Sequence, residues 1–345
     1  MTFKVLIVGC GAQGKVISAY LAGAPQVDEI RLSDISLETV KQHANRLKSD
    51  KVSVHRVDAN KINEIASLAN GVDVIVNAVI PRFNLNIMDA ALKSGVHCLE
   101  LAFGPPYEIF EKELERSDKF RKVGLTALTG AGSSPGITNV LAAHAADRLD
   151  GVNKIRIKLF DMVESKEMFS TWSLETMLGD MAEEPVIYDN GEYKKVPPFS
   201  EEEVYNFPEP IGPQTVFAHM HEEALMLPHF IGKDLKYVDI KLGSPDIPLI
   251  KSLFQLGLCS IDPIEIKGVK VAPRDVLLKL LPSTLSFEEI ENKIKTGTLI
   301  DAHECYVVEV EGIKASKKLT YIFNVNFPTL RQVQKMLPGA THESY

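Results

Sequence analysis

The chain has 345 residues, of which 45% are hydrophobic and 24% charged, and its formal net charge is −8. This length is sufficient for two domains with separate cores, while the acidic balance argues against nucleic-acid and anionic-membrane partners, because both bind basic surfaces. No apolar stretch reaches the roughly 20 residues that cross a bilayer.

The cysteines and the N-terminus indicate the cellular location of the protein and the kinds of site it can carry. The cysteines are scattered and form neither a C-x-x-C pair nor the spacing of a zinc site; they are Cys10, Cys98, Cys259 and Cys305. We therefore expect reduced thiols, no bound metal and a cytoplasmic location. Glycines interrupt the apolar N-terminus too early for a signal peptide.

The first strand and the turn after it carry the most informative pattern. Val5–Val8 is a continuous apolar run, typical of a buried parallel strand, and glycines follow at G-x-G-x-x-G spacing before a stretch of helical periodicity. The first glycine permits a tight turn, the second lets a pyrophosphate approach the backbone, and the third lets the helix pack closely on the strand. The cofactor-binding residues predicted here are Gly9, Gly11, Ala12, Gln13 and Gly14.

A second predicted strand, Glu29–Ser33, ends at Asp34, twenty residues after Gly14. A carboxylate at this point can accept hydrogen bonds from both ribose hydroxyls and repels a 2′-phosphate. We therefore expect NAD to be preferred, while Arg31 and Lys41 leave NADP open. The order of strand, glycines, helix, strand and acid predicts a dinucleotide-binding fold; the alternative is a glycine-rich turn in another α/β protein.

The first 130 residues continue to alternate strands with helices, as in a doubly wound parallel sheet. The predicted helices cover 37–48, 62–69, 83–94 and 107–121, and the further strands 52–57, 72–78, 96–100 and 125–128. The carboxyl ends of such strands face the ligand crevice. This rule adds to the predicted site Asp58, Ala59, Ala78, Val79, Ile80, Arg82, Glu100 and the small-residue run 130–134.

The pattern changes in the second half. Ile155–Asp161 alternates apolar and polar residues, which predicts an antiparallel strand with one solvent-exposed face. We expect further strands near 192–196, 216–219, 237–242, 304–310 and 318–325, and helices over 174–182, 248–258, 273–281 and 287–295. The predicted fold is α/β, with a Rossmann-type doubly wound parallel sheet in residues 1–150 and an α+β substrate and dimerisation domain on a mostly antiparallel sheet in 151–327. Residues 328–345 are left open as a completion of the first domain.

Taken together, these segments resemble the saccharopine dehydrogenase family, which includes saccharopine reductases, lysine 6-dehydrogenases and carboxynorspermidine dehydrogenases. The resemblance covers most of the chain, and its carriers are the glycine fingerprint, Ala78–Pro81, Ser134–Asn139, Thr171–Ser173 and Tyr188–Gly191. It implies an enzyme that transfers a hydride between a nicotinamide coenzyme and a carbon–nitrogen bond of an amino acid, a diamine or an opine-like conjugate, in the cleft between its domains.

The resemblance also implies roles for individual residues. Arg82 and Phe83 match the substrate-contacting pair, Trp172 matches the first residue of the family's W-S pair and Ser173 the second, and Glu100 lies where relatives contact substrate or nicotinamide. A departure from the family pattern concerns the substrate, because Glu175 stands where saccharopine reductases have an arginine that grips a carboxylate. A glutamate attracts an ammonium or amidinium group instead, which favours a diamine-bearing substrate.

The segment His219–Glu223 offers candidates for acid–base catalysis, since histidine titrates near neutrality and amine oxidation needs a deprotonated nitrogen. His219 and His221 would share one face of a strand. The alternative is that both are packing or surface residues. For Glu100 the alternative is a carboxylate that orders a neighbouring loop, and for Arg82 a solvated cation.

Pro135 is predicted near the first turn of a helix, after small residues that let the backbone approach the nicotinamide. A simple capped loop is the alternative. Relatives usually continue into a Thr-Gly-x-Pro helix, whereas this sequence reads His342–Tyr345 at that point. The segment is expected to be shortened or to make that contact differently, with an effect on dimerisation or activity.

We therefore expect an NAD-preferring oxidoreductase for CH–NH or CH–NH2 bonds that acts as a homodimer. His219, His221 or Glu100 would handle the proton of the nitrogen. Alternatives are a reductase of the dihydrodipicolinate-reductase type and a non-catalytic NAD(H)-binding regulator.

Overall fold

The computed structural model describes residues 2–104, 108–168, 173–282 and 285–345. The chain divides into two compact units, Met1–Gly136 and Ile137–Tyr345. The division falls fourteen residues before the predicted boundary at residue 150, and residues 328–345 belong to the second unit. No helix of the described ranges is long and apolar enough to cross a membrane.

The first unit contains a parallel sheet of six strands in the order β3-β2-β1-β4-β5-β6. Apolar side chains pack on both faces of this sheet, with Leu6 and Ile75 on one side and Ile7 and Ile30 on the other. The strands are β1 Phe3–Val8, β2 Val27–Asp34, β3 Val52–Arg56, β4 Val74–Asn77, β5 His97–Glu100 and β6 Ala127–Leu128. This topology confirms the predicted Rossmann-type sheet.

The helices of the first unit follow the predicted order with one correction. The sequence predicts a single helix over 107–121, but the described residues there form two short helices separated by a turn at Arg116. The Arg116 guanidinium donates two hydrogen bonds to Asp89, at 2.9 and 3.0 Å. The helices are α1 Ala12–Gly23, α2 Leu37–Leu47, α3 Ile62–Ala69, α4 Asn84–Ser94, α5 Ile109–Leu114 and α6 Ser117–Lys122. A 3-10 turn, Pro81–Phe83, precedes α4.

The second unit is built on a mixed, mostly antiparallel sheet of eight strands. Six of them run in the order β10-β11-β12-β7-β15-β16, while β8 pairs with both β12 and β9. Its strands are β7 Gly151–Ser165, β8 Val186–Asp189, β9 Glu192–Lys195, β10 Glu203–Asn206, β11 Pro213–Ala218, β12 Tyr237–Gly243, β15 Leu299–Lys314 and β16 Lys317–Asn326, with a separate hairpin of β13 Ile264–Ile266 and β14 Val269–Val271. The helices are α7 Ile137–Ala146, α8 Leu174–Ala182, α9 Glu223–Ile231, α10 Ile247–Gln255, α11 Pro273–Leu280, α12 Phe287–Lys295 and α13 Leu330–Met336.

The prediction of a solvent-exposed face on Ile155–Asp161 is wrong. These residues lie in β7, a central strand that pairs in parallel with β12 and antiparallel with β15. Lys158 is fully buried, and its ammonium lies 3.0 Å from Glu203 and 3.3 Å from Asp239. Arg156, whose side chain is 28% exposed, joins the same ion-pair network through Glu203 and Asp239. The polar residues at 156 and 158 are therefore paired along the sheet instead of facing solvent alone.

Candidate active site

The glycine turn after β1 is held by contacts that only glycine allows. Gly9 has φ +109°, and a Cβ added there would stand 2.5 Å from the carbonyl oxygen of Ala78. A Cβ on Gly14 would stand 2.0 Å from the carbonyl oxygen of Gly9. The structure thus brings the fingerprint together with Ala78 and Val79, as the sequence predicts for a dinucleotide site. Ile80 follows as the N-cap of the 3-10 turn Pro81–Phe83.

Gly11 has a different role from its two neighbours. A Cβ added to Gly11 would meet nothing within 4 Å, and Gly11 is the N-cap of the twelve-residue helix α1. Because glycine has no side chain, this cap position leaves the first turn of α1, with Ala12 and Gln13, accessible to a ligand. Such a helix start suits a phosphate group.

Asp34 ends β2 beside this turn. Its Oδ2 accepts a hydrogen bond from the backbone N–H of Cys10 at 2.8 Å, and its Oδ1 accepts one from Ser36 at 2.9 Å. The carboxylate is therefore fixed next to the glycine turn, where a ribose is expected. The Cys10 thiol is buried, and burial, with a smaller effect of Asp34, raises its pKa to about 12, which makes it an unreactive packing group.

Asp58 and Ala59 lie just after β3. The Asp58 carboxylate accepts hydrogen bonds from the backbone and the side chain of Asn60 at 2.9 and 3.0 Å, and these bonds lower its pKa. The Ala59 carbonyl accepts a hydrogen bond from Asn86 at 3.0 Å. Both predicted residues are thus held in a local turn of the same unit.

Glu100, at the end of β5, is 4% exposed and orders the small-residue run. The Gly130 N–H donates to its Oε1 at 2.6 Å, and the Ala131 N–H donates to its carbonyl oxygen at 3.0 Å. Further along, the Gly132 N–H donates to the carbonyl oxygen of Pro135 at 2.9 Å. This arrangement agrees with the loop-ordering alternative for Glu100, and its catalytic role stays a prediction.

The predicted substrate residues are found in both units. Arg82 is exposed, and its guanidinium carbon stands 4.8 Å from the ring centroid of Phe83. In the second unit, Ser173 caps α8 by accepting the Thr176 N–H at 3.2 Å, and Glu175 lies in the first turn of that helix. Trp172 lies outside the described residues. These placements leave the substrate roles as predictions.

The second unit does bring His219 and His221 together, although both follow β11 instead of lying within it. Their ring centroids are 5.6 Å apart. Nδ1 of His221 lies 2.5 Å from Oε2 of Glu223 and 3.2 Å from Oε2 of Glu222. Two histidines and two carboxylates, all largely buried, therefore form one cluster.

The two rings of this cluster differ in charge. Burial and then the nearby charge of His221 lower the pKa of His219 to about 3, so His219 is neutral at pH 7. Burial also acts to lower the pKa of His221, but Glu223, Glu222 and Asp180 outweigh it and raise that pKa to about 10. A protonated imidazole thus stands beside a neutral one.

Two members of this cluster, Thr138 and Asp180, are not among the site residues predicted from the sequence. Thr138 Oγ1 donates to Oε1 of Glu223 at 2.5 Å. Its segment, Ser134–Asn139, is one of the carriers of the family resemblance, but the sequence assigns no role to this hydroxyl. Asp180, on α8, is buried and lines a small cavity with His219. Polar residues inside apolar helical stretches were the available signal.

Comparisons with known proteins cover nearly the whole chain. The saccharopine dehydrogenase NADP binding domain family matches residues 5–128, and the saccharopine dehydrogenase C-terminal domain family matches residues 132–322. The chain is 27% identical over 333 residues to carboxyaminopropylagmatine dehydrogenase from Synechocystis sp., covering 93% of this chain and 81% of that protein. It is 28% identical over 310 residues to carboxynorspermidine synthase from Vibrio cholerae, covering 82% and 73%.

Among solved structures, apo saccharopine dehydrogenase (L-Glu forming) from Saccharomyces cerevisiae matches with a TM-score of 0.69. The match covers 99% of this chain and 88% of the yeast chain at 12% sequence identity. At this identity the likeness shows the fold alone.

Proposed function

Because this chain belongs to the saccharopine dehydrogenase family and is an NAD(P)-dependent oxidoreductase of that type, we propose that it makes or oxidises the CH–NH bond of a carboxylated polyamine conjugate. The substrate would carry a carboxylate and at least one further amino or guanidino group. The names of two relatives, carboxyaminopropylagmatine dehydrogenase and carboxynorspermidine synthase, support this class.

One observation of the structure carries the proposal: the rings of His219 and His221 lie 5.6 Å apart, buried beside the carboxylates of Glu222 and Glu223. These carboxylates raise the pKa of His221, whereas burial lowers that of His219. A reaction at nitrogen needs a proton donor when the carbon–nitrogen bond is made and a proton acceptor when it is oxidised. We assign that proton transfer to His221, with His219 orienting the substrate nitrogen.

The coenzyme would be held in the first unit. The backbone at Gly11 and the start of α1 would bind the pyrophosphate, and Asp34 the adenosine ribose. The nicotinamide, when bound, donates or accepts the hydride. We propose NAD as the preferred form, since the Asp34 carboxylate repels a 2′-phosphate. The matching family is described as NADP binding, and titration with each coenzyme distinguishes the two.

Charge would select the substrate in this proposal. Glu175 replaces the arginine expected from saccharopine reductases and would attract the distal ammonium or guanidinium, while the exposed Arg82 guanidinium would attract the carboxylate. The formal net charge of −8 also favours a cationic substrate over an anionic one.

The experiment follows the absorbance of the reduced coenzyme while candidate substrates of different classes are supplied. NADH or NADPH is mixed with an amino-acid semialdehyde and, in turn, an α,ω-diamine, agmatine or a monoamine. We expect oxidation of NADH with the diamine or agmatine and none with the monoamine, and the Glu175→Arg variant should lose the diamine preference. Absence of turnover with every amine, in both reaction directions, would overturn the proposal.

A further inference from the structure

We propose that Thr138 and Glu223 are positioning residues that hold His221 as the proton donor of the second unit, through the hydrogen-bonded sequence Thr138–Glu223–His221. The catalytic role in this inference rests on the proposed function. The hydrogen bonds that join the three residues are present whatever the substrate.

The two oxygens of one carboxylate make the connection. Thr138, in the first turn of α7, donates through Oγ1 to Oε1 of Glu223 at 2.5 Å, and Oε2 of the same carboxylate lies 2.5 Å from Nδ1 of His221. Thr138 and Glu223 are both fully buried and are 85 residues apart in the chain. With both oxygens engaged in short, charge-assisted bonds, the Glu223 carboxylate cannot rotate freely.

This anchoring fixes which nitrogen of His221 is used. The ring hydrogen bond at Nδ1 sets the orientation of the imidazole, so Nε2 is the nitrogen that can deliver a proton to a substrate. A carboxylate that orients a histidine through Nδ1 while the other nitrogen reacts is a recurrent catalytic arrangement. Thr138 acts one step further away, by keeping the carboxylate in place.

The charges around His221 favour its protonated form. Glu223 and Glu222 contact the ring, Asp180 acts from α8, and His219 stands on the other side with its centroid 5.6 Å away. The Thr138 hydroxyl donates to Glu223 and so stabilises the ionised carboxylate. Without that donor the Glu223 carboxylate is free to rotate away from Nδ1 of His221. Its negative charge then lies further from the ring, which lowers the His221 pKa.

A protonated His221 suits the direction in which the carbon–nitrogen bond is made. Addition of an amine to an aldehyde gives a carbinolamine; Nε2–H of His221 donates its proton to the carbinolamine hydroxyl, the C–O bond breaks, and water leaves. The nitrogen lone pair forms the C=N bond of the iminium ion. A reduced nicotinamide coenzyme would supply the hydride that converts the iminium carbon into that of the secondary amine. His221 regains a proton from solvent.

A purely structural reading is that Thr138 only ties α7 to α9. Thr138→Val keeps the shape and removes the hydroxyl donor, whereas Thr138→Ser keeps the donor and removes the methyl group. Thr39→Val is the matched control, because it removes another first-turn threonine hydroxyl, which donates to Ser36, the N-cap of α2 in the first unit.

The test measures the His221 pKa by NMR of labelled histidine and the pH dependence of NADH-driven amine formation. The spectrum of His221→Gln identifies the His221 signal among the nine histidines. We expect Thr138→Val to lower the His221 pKa from about 10, to move the alkaline limb of the kcat profile to lower pH than in the wild type, and to lower kcat by about 10-fold with little change in KM. Thr138→Ser should restore all three values, and Glu223→Gln should lower kcat by about 100-fold.

Equal behaviour of Thr138→Val and Thr138→Ser in the NMR and pH-profile measurements would overturn the inference, as would a wild-type His221 pKa in folded Glu223→Gln. If Thr138→Val does not fold, Thr138→Ser and Glu223→Gln still decide through the same pKa. The outcomes separate this inference from the proposed function. A pKa that responds as expected in an enzyme without amine turnover contradicts the function alone, and turnover with an unresponsive pKa contradicts the inference alone.

Discussion

The carboxylate of Asp34 accepts a hydrogen bond from the backbone N–H of Cys10 at 2.8 Å. This bond joins the end of β2 to the glycine turn after β1, so the group expected to bind the ribose is fixed to the segment expected to bind the pyrophosphate. Coenzyme choice and the geometry of the turn are therefore coupled through one side chain.

Exchange of Asp34 tests that coupling. Asp34→Asn keeps an oxygen that can accept the Cys10 N–H but removes the charge, whereas Asp34→Ala removes both. We expect both variants to bind NAD about 10-fold more weakly and to lose most discrimination against NADP, with Asp34→Ala also less stable. Calorimetric titration with each coenzyme and thermal unfolding give the two readouts. An unchanged ratio of NAD to NADP affinity in Asp34→Asn would contradict the NAD preference.

The approach of Gly9 to Gly14 yields a second prediction. A Cβ on Gly14 would stand 2.0 Å from the Gly9 carbonyl oxygen, so Gly14→Ala must displace backbone. We expect a loss of about 1–3 kcal/mol in the free energy of unfolding and weaker coenzyme binding. Gly23→Ala, on the last residue of the same helix with nothing within 4 Å of its added Cβ, is the control and should be neutral or stabilising by up to about 1 kcal/mol. Chemical denaturation of both variants makes the comparison, and equal stability would contradict the steric argument.

Local signals account for what the sequence predicts well. The bounds of α8 and α12 follow from Ser173 and Ser286, whose side chains cap these helices, and Ser286 forms a capping box with Glu289. The Rossmann-type sheet is likewise encoded in short repeated strand–helix units. Each of these features depends on residues a few positions apart.

Contacts between distant segments account for what could not be predicted. The exposed face expected for β7 is buried because Glu203 and Asp239, from other strands, pair with Lys158. The histidine pair was predicted from its spacing, but the Thr138 hydroxyl that reaches Glu223 comes from 85 residues away. Periodicity carries no information about such partners.

Two titratable side chains near the carboxyl end of β7 predict how the stability of the protein changes with pH. Glu304 lies opposite Asp161 across the β7–β15 pairing, and burial followed by the charge of Asp161 raises the pKa of Glu304 to about 7. His342 lies 2.8 Å from Asp161; burial acts to lower its pKa, but Asp161, Glu343 and Glu304 raise it to about 9. Both folded-state pKa values exceed the unfolded ones.

Because proton binding is linked to folding, these raised pKa values make the stability of the protein depend on pH. The folded protein holds the Glu304 proton more tightly than the unfolded chain, so this group reduces stability as pH rises from about 4.5 to about 7. The contribution of His342 is complete below pH 6.5 and is lost as pH rises through about 9. We expect Glu304→Gln to be more stable than wild type by about 1–3 kcal/mol at pH 8 and equal to it near pH 4.5. Urea unfolding at several pH values measures the difference, and a difference that does not change with pH would contradict the assignment.

The buried ammonium of Lys158 gives the last prediction. Lys158 is fully buried between Glu203 and Asp239. Lys158→Met would leave the Asp239 carboxylate, itself 2% exposed, with the Arg156 guanidinium at 3.6 Å and the Tyr237 hydroxyl at 3.4 Å. Removing one partner of a buried ion pair typically lowers the free energy of unfolding by about 3–5 kcal/mol. We expect Lys158→Met to lose an amount near the lower end of this range, because Arg156 remains beside Asp239. Lys194→Met is the control: its exposed pair with Asp189 at 2.6 Å should contribute less than about 1 kcal/mol. Chemical denaturation of both methionine variants makes the comparison. Equal unfolding free energies would mean that the ion-pair network does not depend on the Lys158 charge. A clearly larger loss in Lys158→Met would show that the charge of this buried residue stabilises the sheet of the second unit.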